Sequence, residues 1–303
     1  MSTFEEFLEA WPPYAEVFHQ LEAEDRKLAF SASAVHAVHG DDAARVVTPL
    51  IGYARERFGP GLASRYAERC RQLEELQKQF DLRPCLETLG APDRAVDRDT
   101  YHLALLLSIV FTNHRFEILQ QLEQFLRGLG SQGKLAGLGI GTGYEIKLAA
   151  EILPPAWEIE GYDIDPTAEG EARHMLGHFG VLRPVQFGAE FPIDTVDPAR
   201  QRQYSAIVAC EVLEHLPDPA RALRTMREYL TEGGRMFVTM AVNIAQEDHI
   251  FLYPDIAACR RQLVDCGLKT VTEWVTIPTL WPPPADREKG FKRGNYVAVV
   301  ERA

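Results

Sequence analysis

Three alternating glycines, Gly139, Gly141 and Gly143, and an acid about twenty residues past them, Asp163, are the part of the sequence best suited to chemistry. The apolar segment before the loop predicts a buried strand, and the segment after it predicts a helix. The loop therefore lies at a helix N-terminus, where free main-chain N–H groups favour a carboxylate or phosphate. A second predicted strand ends at Asp163, whose carboxylate suits the two hydroxyls of a ribose. Together these features predict a nucleoside-binding crevice in an α/β sheet.

The spacing of the glycines excludes the usual dinucleotide loop. In no register of the loop does a glycine or alanine occupy the sixth position of the G-x-G-x-x-G/A fingerprint. Upstream, Gly128, Gly130 and Gly133 fit it, and residues 128–134 also read as the start of a P-loop. Both patterns precede the predicted strand instead of following it, and Leu135 stands where a P-loop needs Ser or Thr. We therefore reject both.

The loop instead resembles the S-adenosylmethionine (SAM) site of class I methyltransferases, whose glycine loop reads D/E-x-G-x-G-x-G. Residues 211–219, with the sequence EVLEHLPDP, are similar to the segment after strand four of ubiquinone-pathway and natural-product methyltransferases. Residues 230–234 resemble the Leu-x-x-Gly-Gly turn before strand five of that family. One departure is Gly137, where the family usually carries an acid that orients the loop and the methionine amino group. The methionyl end of SAM is therefore expected to be held differently here.

The resemblance implies a Rossmann-like, doubly wound α/β sheet of seven strands with the last strand antiparallel, and SAM as cofactor. The residues it implies for SAM come from the glycine loop, the ends of successive strands and one upstream cation: Gly139, Gly141, Thr142, Gly143, Asp163, Ile164, Ala189, Cys210, Glu211 and Arg115. The guanidinium of Arg115, at the end of a predicted N-terminal helix, suits the SAM carboxylate. An exposed Arg115 that pairs with Glu117 or Glu123 is the alternative.

A second candidate group comprises Glu211, Glu214, His215 and His249. Similar Glu/His groupings bind a divalent metal in small-RNA 2′-O-methyltransferases, although these ligands suit zinc better than magnesium. The simpler interpretation, which we adopt here, expects no metal, with Glu211 lining the SAM pocket and His215 packing locally. His215 or His249 is a candidate general base, because imidazole titrates near neutrality. Asn243, after strand five, either hydrogen-bonds the acceptor or the SAM amino group, or forms a turn.

Composition limits the possible partners. The net charge is −12, and the basic cluster Arg287, Lys289, Lys292 and Arg293 is too small to follow a duplex, so no nucleic-acid partner is expected. No apolar run approaches the roughly 18 residues that span a bilayer, and the first residues are acidic, unlike a signal region. The five cysteines form no C-x-x-C pair, which favours reduced thiols. We expect a cytoplasmic protein with no membrane partner.

Secondary-structure patterns divide the chain in two. The pattern of residues 1–130 predicts helices, and one of these has an apolar stripe of Leu103, Leu106, Leu107 and Val110. The pattern of residues 131–303 predicts strands that alternate with helices. These strands are expected near 134–139, 157–163, 184–188, 204–210, 235–242, 269–277 and 294–302. We expect the first region to be a helical cover for substrate binding or dimerisation, and the second to be the SAM-binding domain. The Pro-rich loop 278–293 is either a lid or a surface connection.

The leading functional prediction is SAM-dependent methyl transfer to the oxygen or nitrogen of a small molecule in secondary or specialised metabolism, with a candidate homodimer through the N-terminal helices. The alternative is a SAM-consuming lyase similar to azetidine-2-carboxylate synthases. In that reaction the SAM amino nitrogen attacks its own γ-carbon and releases methylthioadenosine. The helical cover and the missing acid at Gly137 are compatible with it. A non-enzymatic binding module and an RNA-modifying enzyme are less favoured, because the glycine loop is intact and the net charge is negative.

Overall fold

The computed structural model describes residues 43–59, 61–82, 97–277 and 291–303. The described residues before the sheet form α1 (Thr48–Phe58, preceded by a π-helical turn at Ala43–Val47), α2 (Leu62–Leu82), α3 (Arg98–Phe111) and α4 (Asn113–Arg127). The helices of the second region are α5 (Tyr144–Ile152), α6 (Ala168–His178), α7 (Pro219–Tyr229) and α8 (Ile256–Asp265). Its strands are β1 (Gly133–Leu138), β2 (Trp157–Tyr162), β3 (Gln186–Gly188), β4 (Tyr204–Ala209), β5 (Leu230–Val242), β6 (Leu268–Thr276) and β7 (Gly294–Arg302).

The seven strands form one sheet in the order β3–β2–β1–β4–β5–β7–β6. Strands β1 to β5 pair in parallel, and β7 runs antiparallel between β5 and β6. The strand order reverses between β1 and β4, so the carboxyl ends of these two strands border a crevice of the kind that binds ligands in open α/β sheets. The doubly wound sheet with its last strand antiparallel is confirmed.

The start of β5 differs from the sequence prediction. Leu230 already pairs with Tyr204, and the next pairing joins Arg235 to Ala206, so the residues between them form a bulge. A side chain at Gly234 would approach the Tyr204 carbonyl oxygen at 2.9 Å, which explains a glycine there. The segment predicted as a turn before strand five is therefore the irregular first part of that strand.

The N-terminal helices share a core with the sheet. The predicted stripe of α3 is buried, and it joins a cluster that includes residues of α1, α4, α5, α6 and one sheet face. The ring of Phe125 in α4 lies 5.7 Å from that of Phe237 in β5. Helices α7 and α8 cover the opposite face with a second apolar cluster. The described helical region is therefore packed onto the sheet that it was predicted to cover.

The helix predicted to end within residues 111–117 is in fact two helices. Thr112 has extended backbone angles (φ −121°, ψ 126°) between α3 and α4, and its hydroxyl donates to the Ser108 carbonyl at 2.6 Å. This local hydrogen bond competes with continuation of the helix. Arg115 consequently lies in the first turn of α4 instead of at the end of a single long helix.

Some predicted features lie outside the described residues, namely residues 1–42, Cys85 and positions 278–290 of the Pro-rich loop, which include Arg287 and Lys289. Within the described ranges, no helix combines the length and apolar character needed to cross a bilayer.

Candidate active site

The Asp163 carboxylate is hydrogen-bonded to the glycine loop. Its Oδ2 accepts a hydrogen bond from the Gly141 N–H at 2.8 Å, and its Oδ1 accepts one from the Asp165 N–H at 2.8 Å. Burial raises the pKa of Asp163, and the Gly141 hydrogen bond offsets this only in part. A carboxylate has about four acceptor positions, so both oxygens keep lone pairs after these two bonds. The backbone therefore fixes Asp163 in an orientation that still allows it to accept hydrogen bonds from a diol.

The glycines of the loop adopt conformations that other residues avoid. Gly139, Gly141 and Gly143 have φ values of 63°, 45° and 80°. At Gly143 a side chain is also excluded by contact, because a Cβ there would collide with the backbone of Ala172 in α6. The N-terminus of α5 and helix α6 therefore pack with only a glycine between them.

Replacing Gly143 with alanine is expected to lower the free energy of unfolding by about 2 kcal/mol, because the new Cβ meets both a left-handed backbone and the α6 main chain. The displaced loop should also bind SAM more weakly. Urea denaturation and calorimetric titration with SAM measure the two effects. Gly170→Ala is the matched control, since a Cβ at Gly170 meets nothing within 4 Å. Wild-type values for both quantities in Gly143→Ala would contradict this packing argument.

The position of the missing family acid is filled by apolar side chains. A Cβ at Gly137 would lie 2.6 Å from Cδ1 of Ile146 and 3.7 Å from Cγ2 of Ile140. A carboxylate does not fit at this position without displacing Ile146. The geometry supports the expectation that other residues hold the methionyl end of SAM.

The remaining predicted SAM contacts that follow β1 to β4 form two groups. Ile164, after β2, is 88% exposed although it is apolar, and Ala189, after β3, is also exposed. Thr142 and Cys210 are buried, and burial raises the pKa of the Cys210 thiol well above its usual range. Ile164 and Ala189 thus offer accessible surface beside Asp163. The neutral Cys210 thiol is suited to packing and not to nucleophilic chemistry.

Arg115 is a buried cation with unused hydrogen-bond donors. Its Nη2 donates to Oε1 of Glu145 at 3.2 Å, whereas Nε and Nη1 are buried without a partner among the described residues. Burial disfavours its charge, but the carboxylates of Glu211 and Glu145 outweigh burial and raise the Arg115 pKa. Burial lowers the pKa of the adjacent His114 to about 4, so that ring is neutral. Because Arg115 is buried and pairs with Glu145, the alternative of an exposed arginine is wrong.

Glu211, the second residue after β4, has a strained backbone and a fixed carboxylate. Its φ is 53°, and its Oε1 accepts hydrogen bonds from Thr239 Oγ1 at 2.6 Å and Asn295 Nδ2 at 2.7 Å. Burial would raise the pKa of Glu211, but Arg115 and the Thr239 hydrogen bond outweigh it and lower the pKa. Sequence reasoning missed Thr239 and Asn295, because they come from β5 and β7 and no local motif contains them.

Glu214, His215 and His249 come together although His249 is distant in sequence. One potential ligand atom of each lies within 4.8 Å of those of the other two. Glu214 is fully buried, and neither carboxylate oxygen has a hydrogen-bond partner within the described part of the chain. Burial, followed by repulsion from Glu211, raises the pKa of Glu214 well above its usual range. An unpaired buried carboxylate is costly and requires an explanation.

Both imidazoles of this group are oriented by backbone carbonyls. Nδ1 of His215 lies 2.9 Å from the Asp248 carbonyl oxygen, and Nδ1 of His249 lies 2.9 Å from the Ile244 carbonyl oxygen. Because a carbonyl oxygen only accepts, each Nδ1 carries a proton, and the neutral form of each ring has its lone pair on Nε2. In that form the two rings, with centroids 5.0 Å apart, can act as bases or metal ligands through Nε2.

The geometry of Asn243 favours its turn interpretation. Its φ is 53°, and its side-chain amide donates to the Pro254 carbonyl at 2.7 Å and the Lys292 carbonyl at 3.0 Å. Both amide hydrogens are thus engaged with backbone, which leaves only Oδ1 for a ligand. These contacts favour the alternative in which Asn243 holds the loop after β5, and its catalytic role stays a prediction.

Helix α2 forms hydrogen bonds with the loop that contains His249. Arg69 forms two hydrogen bonds with Glu247, at 2.7 and 2.8 Å, and Arg69 is 2% exposed. The side chain of Gln77 donates to the Asn243 carbonyl at 3.0 Å and accepts from the Ala245 N–H at 2.9 Å. None of these contacts has a signature in the local sequence.

Helix α3 lies across the two sides of the crevice. Arg98 forms an ion pair with Asp165, in the loop after β2, and Nε2 of His102 lies 3.8 Å from Oδ2 of the same aspartate. Near the same end of α3, the Tyr101 hydroxyl donates to Asp248, in the loop after β5, at 3.1 Å. One helix therefore bridges the loop of the ribose-binding candidate and the loop of His249.

The sheet order, the glycine loop and Asp163 define a class I methyltransferase fold. The chain belongs to the methyltransferase domain family, whose model matches residues 111–262. The matched domain is a SAM-dependent methyltransferase domain, and its cofactor is SAM. A ubiquinone biosynthesis O-methyltransferase of Marinobacter nauticus is 37% identical over 62 residues, which are 20% of this chain and 25% of that relative. The match thus spans about a quarter of the relative's length.

The CurJ structure shows the same fold at low sequence identity. The CurJ carbon methyltransferase is 16% identical and superposes with a TM-score of 0.53 over 95% of this chain and 98% of its own. A geranyl diphosphate methyltransferase in complex with SAM is 17% identical, with a TM-score of 0.49 over 71% of this chain and 94% of its own. At such identities the likeness concerns the architecture and leaves the acceptor open.

Proposed function

We propose that this methyltransferase acts on an oxygen or nitrogen of a small molecule in secondary or specialised metabolism. The observation that carries the proposal is the bridge made by α3, which contacts Asp165 on one side of the crevice and Asp248 on the other. A crevice covered in this way suits an acceptor small enough to be enclosed with SAM. Enclosure also excludes water from the reacting atoms.

The described residues fit SAM. Arg115 offers a charged, buried N–H group without a partner to the methionyl carboxylate, and Asp163 offers fixed carboxylate oxygens to the ribose hydroxyls. When bound, SAM supplies a methyl carbon made electrophilic by its sulfonium. The protein then has to orient the acceptor in line with the C–S bond, and in its metal-free form we assign Nε2 of a neutral His215 or His249 as the base for the acceptor proton.

Charge also supports a small acceptor. The net charge of −12 disfavours binding to a polyphosphate backbone. The curated relative that matches 62 residues is named as an O-methyltransferase, which is in keeping with an oxygen acceptor. Absence of RNA binding even at low salt is the expected result for this protein.

Asp163→Ala is expected to weaken SAM binding by about 1.5–3 kcal/mol, because it removes a charged acceptor for the ribose and the partner of the Gly141 and Asp165 amides. Calorimetric titration with SAM measures the loss. Asp265→Ala, at the exposed end of α8, is the matched control and should bind as wild type. Unchanged SAM affinity in Asp163→Ala would show that the ribose lies elsewhere.

To test the reaction, the purified protein is incubated with SAM and a panel of phenols, alcohols and amines. Mass spectrometry then measures adenosylhomocysteine and the methylated product. SAM without an acceptor is the essential second arm. Methylthioadenosine and a cyclic four-carbon amino acid in that arm would establish the lyase alternative, with which the apolar filling at Gly137 is compatible. Intact SAM without an acceptor, and adenosylhomocysteine with one, would support methyl transfer.

The division into residues 1–130 and 131–303, a homodimer through the N-terminal helices and a cytoplasmic location stay predictions. Size-exclusion chromatography with light scattering tests the dimer.

A further inference from the structure

We propose that Glu214, His215 and His249 form a binding site for one divalent transition-metal ion. This replaces the expectation from sequence that no metal binds here. The central observation is the Glu214 carboxylate, which is fully buried and has both oxygens unpaired within the described part of the chain. A buried carboxylate normally has a hydrogen-bond or ionic partner, and a cation next to the two imidazoles supplies one.

The two histidines are oriented as metal ligands usually are. In each, Nδ1–H donates to a backbone carbonyl, that of Asp248 for His215 and that of Ile244 for His249. Hydrogen bonding of this kind fixes the ring and its tautomer and leaves the Nε2 lone pair for a metal. With the Glu214 carboxylate, the ligand atoms already lie within 4.8 Å of one another. Side-chain adjustment alone would bring them around one ion.

The backbone holds the two ligand-bearing segments together. The Glu214 carbonyl accepts hydrogen bonds from the N–H groups of Ile250 and Phe251, both at 2.9 Å. The turn after β4 is thereby tied to the loop after β5, directly beside His249. A site assembled in this way does not depend on a chance approach of mobile side chains.

Ligand chemistry selects the ion. Two imidazole nitrogens and one carboxylate favour Zn²⁺ or Co²⁺ over Mg²⁺, which prefers oxygen ligands. Three protein ligands leave at least one coordination position for a water or an oxygen of another molecule.

The test uses the full chain after treatment with a chelator, titrated with Zn²⁺ alone by calorimetry and with Co²⁺ alone by visible absorption. We expect about one equivalent to bind and Co²⁺ to show the d–d bands of nitrogen and oxygen ligands. Glu214→Gln and His249→Gln should each weaken Zn²⁺ binding more than about 100-fold, since even hydrogen-bond partners of metal ligands contribute about 10- to 100-fold. Glu169→Gln and His174→Gln, on α6, are matched controls and should bind as wild type.

Failure of the wild-type chain to bind Zn²⁺, or wild-type affinity in Glu214→Gln and His249→Gln, would overturn the proposal. Glu214→Gln keeps the shape of the side chain and removes a buried charge, so we expect it to fold, and circular dichroism checks this. His215→Gln provides a second variant at a partly exposed position. No SAM or acceptor is present in these titrations, so their failure would leave the proposed methyl transfer standing.

Discussion

Arg115→Met is expected to weaken SAM binding by about 2–5 kcal/mol, the usual effect of truncating one partner of a buried, hydrogen-bonded charge pair. This corresponds to a dissociation constant raised from about 30-fold to several thousand-fold. The physical reason is that Nε and Nη1 of Arg115 are buried without partners in the described structure, so a ligand carboxylate would gain a hydrogen bond from one of them without displacing a protein partner. Calorimetric titration of the variant with SAM measures the loss.

Methylthioadenosine separates this role from a structural one, because it keeps the adenosine of SAM and lacks the amino and carboxyl groups. If Arg115 binds the carboxylate, Arg115→Met should lose affinity for SAM and keep its affinity for methylthioadenosine. Arg115→Lys should be intermediate, since it keeps the charge and loses the two-pronged geometry. Arg127→Met, at the exposed end of α4, is the matched control. Equal losses for both ligands would assign Arg115 to folding of the loop.

The fold was predictable because its signals are local. Each predicted strand is a short apolar run, and a glycine loop followed by an acid lies within one β–α–β unit. The break between α3 and α4 was missed for an equally physical reason. Thr112 leaves the helix through a hydrogen bond to Ser108, without the proline or glycine that ordinarily marks a helix end.

The residues of the site were predictable only where a single segment of the chain contains them. Asp163 and the loop glycines were identified as a pattern, and the structure joins them through the Gly141 amide. Glu211, in contrast, is held by Thr239 and Asn295, which belong to strands brought beside it by the sheet order. Spacing along the chain carries no information about such partners.

The role of Asn243 shows a further limit of sequence reasoning. A side-chain amide at the end of a strand can serve a ligand or a turn, and both are common. The decision depends on the carbonyls of Pro254 and Lys292, which reach Asn243 from two other segments. The same long-range folding gives Glu214 and His249 their proximity.

Arg69→Met is expected to lower the free energy of unfolding by about 3–5 kcal/mol, because it removes one member of a buried salt bridge. Arg69 is 2% exposed and makes two hydrogen bonds to the Glu247 carboxylate, at 2.7 and 2.8 Å. The pair joins α2 to the loop after β5, so its loss should also free that loop and weaken Zn²⁺ binding at His249. Urea denaturation measures the stability, and calorimetry measures the metal affinity.

The exposed pair of Arg71 and Glu68, on the same helix, provides the matched control. Arg71→Met should change stability by less than about 1 kcal/mol, because water screens exposed ion pairs. The double variant Arg69→Met with Glu247→Leu should recover part of the lost stability, since two apolar side chains replace both members of the salt bridge. A loss in Arg69→Met no larger than that in Arg71→Met would mean that α2 does not hold the loop through this salt bridge. The helical cover would then be attached to the crevice chiefly through α3, whose contacts with Asp165 and Asp248 lie on its two sides.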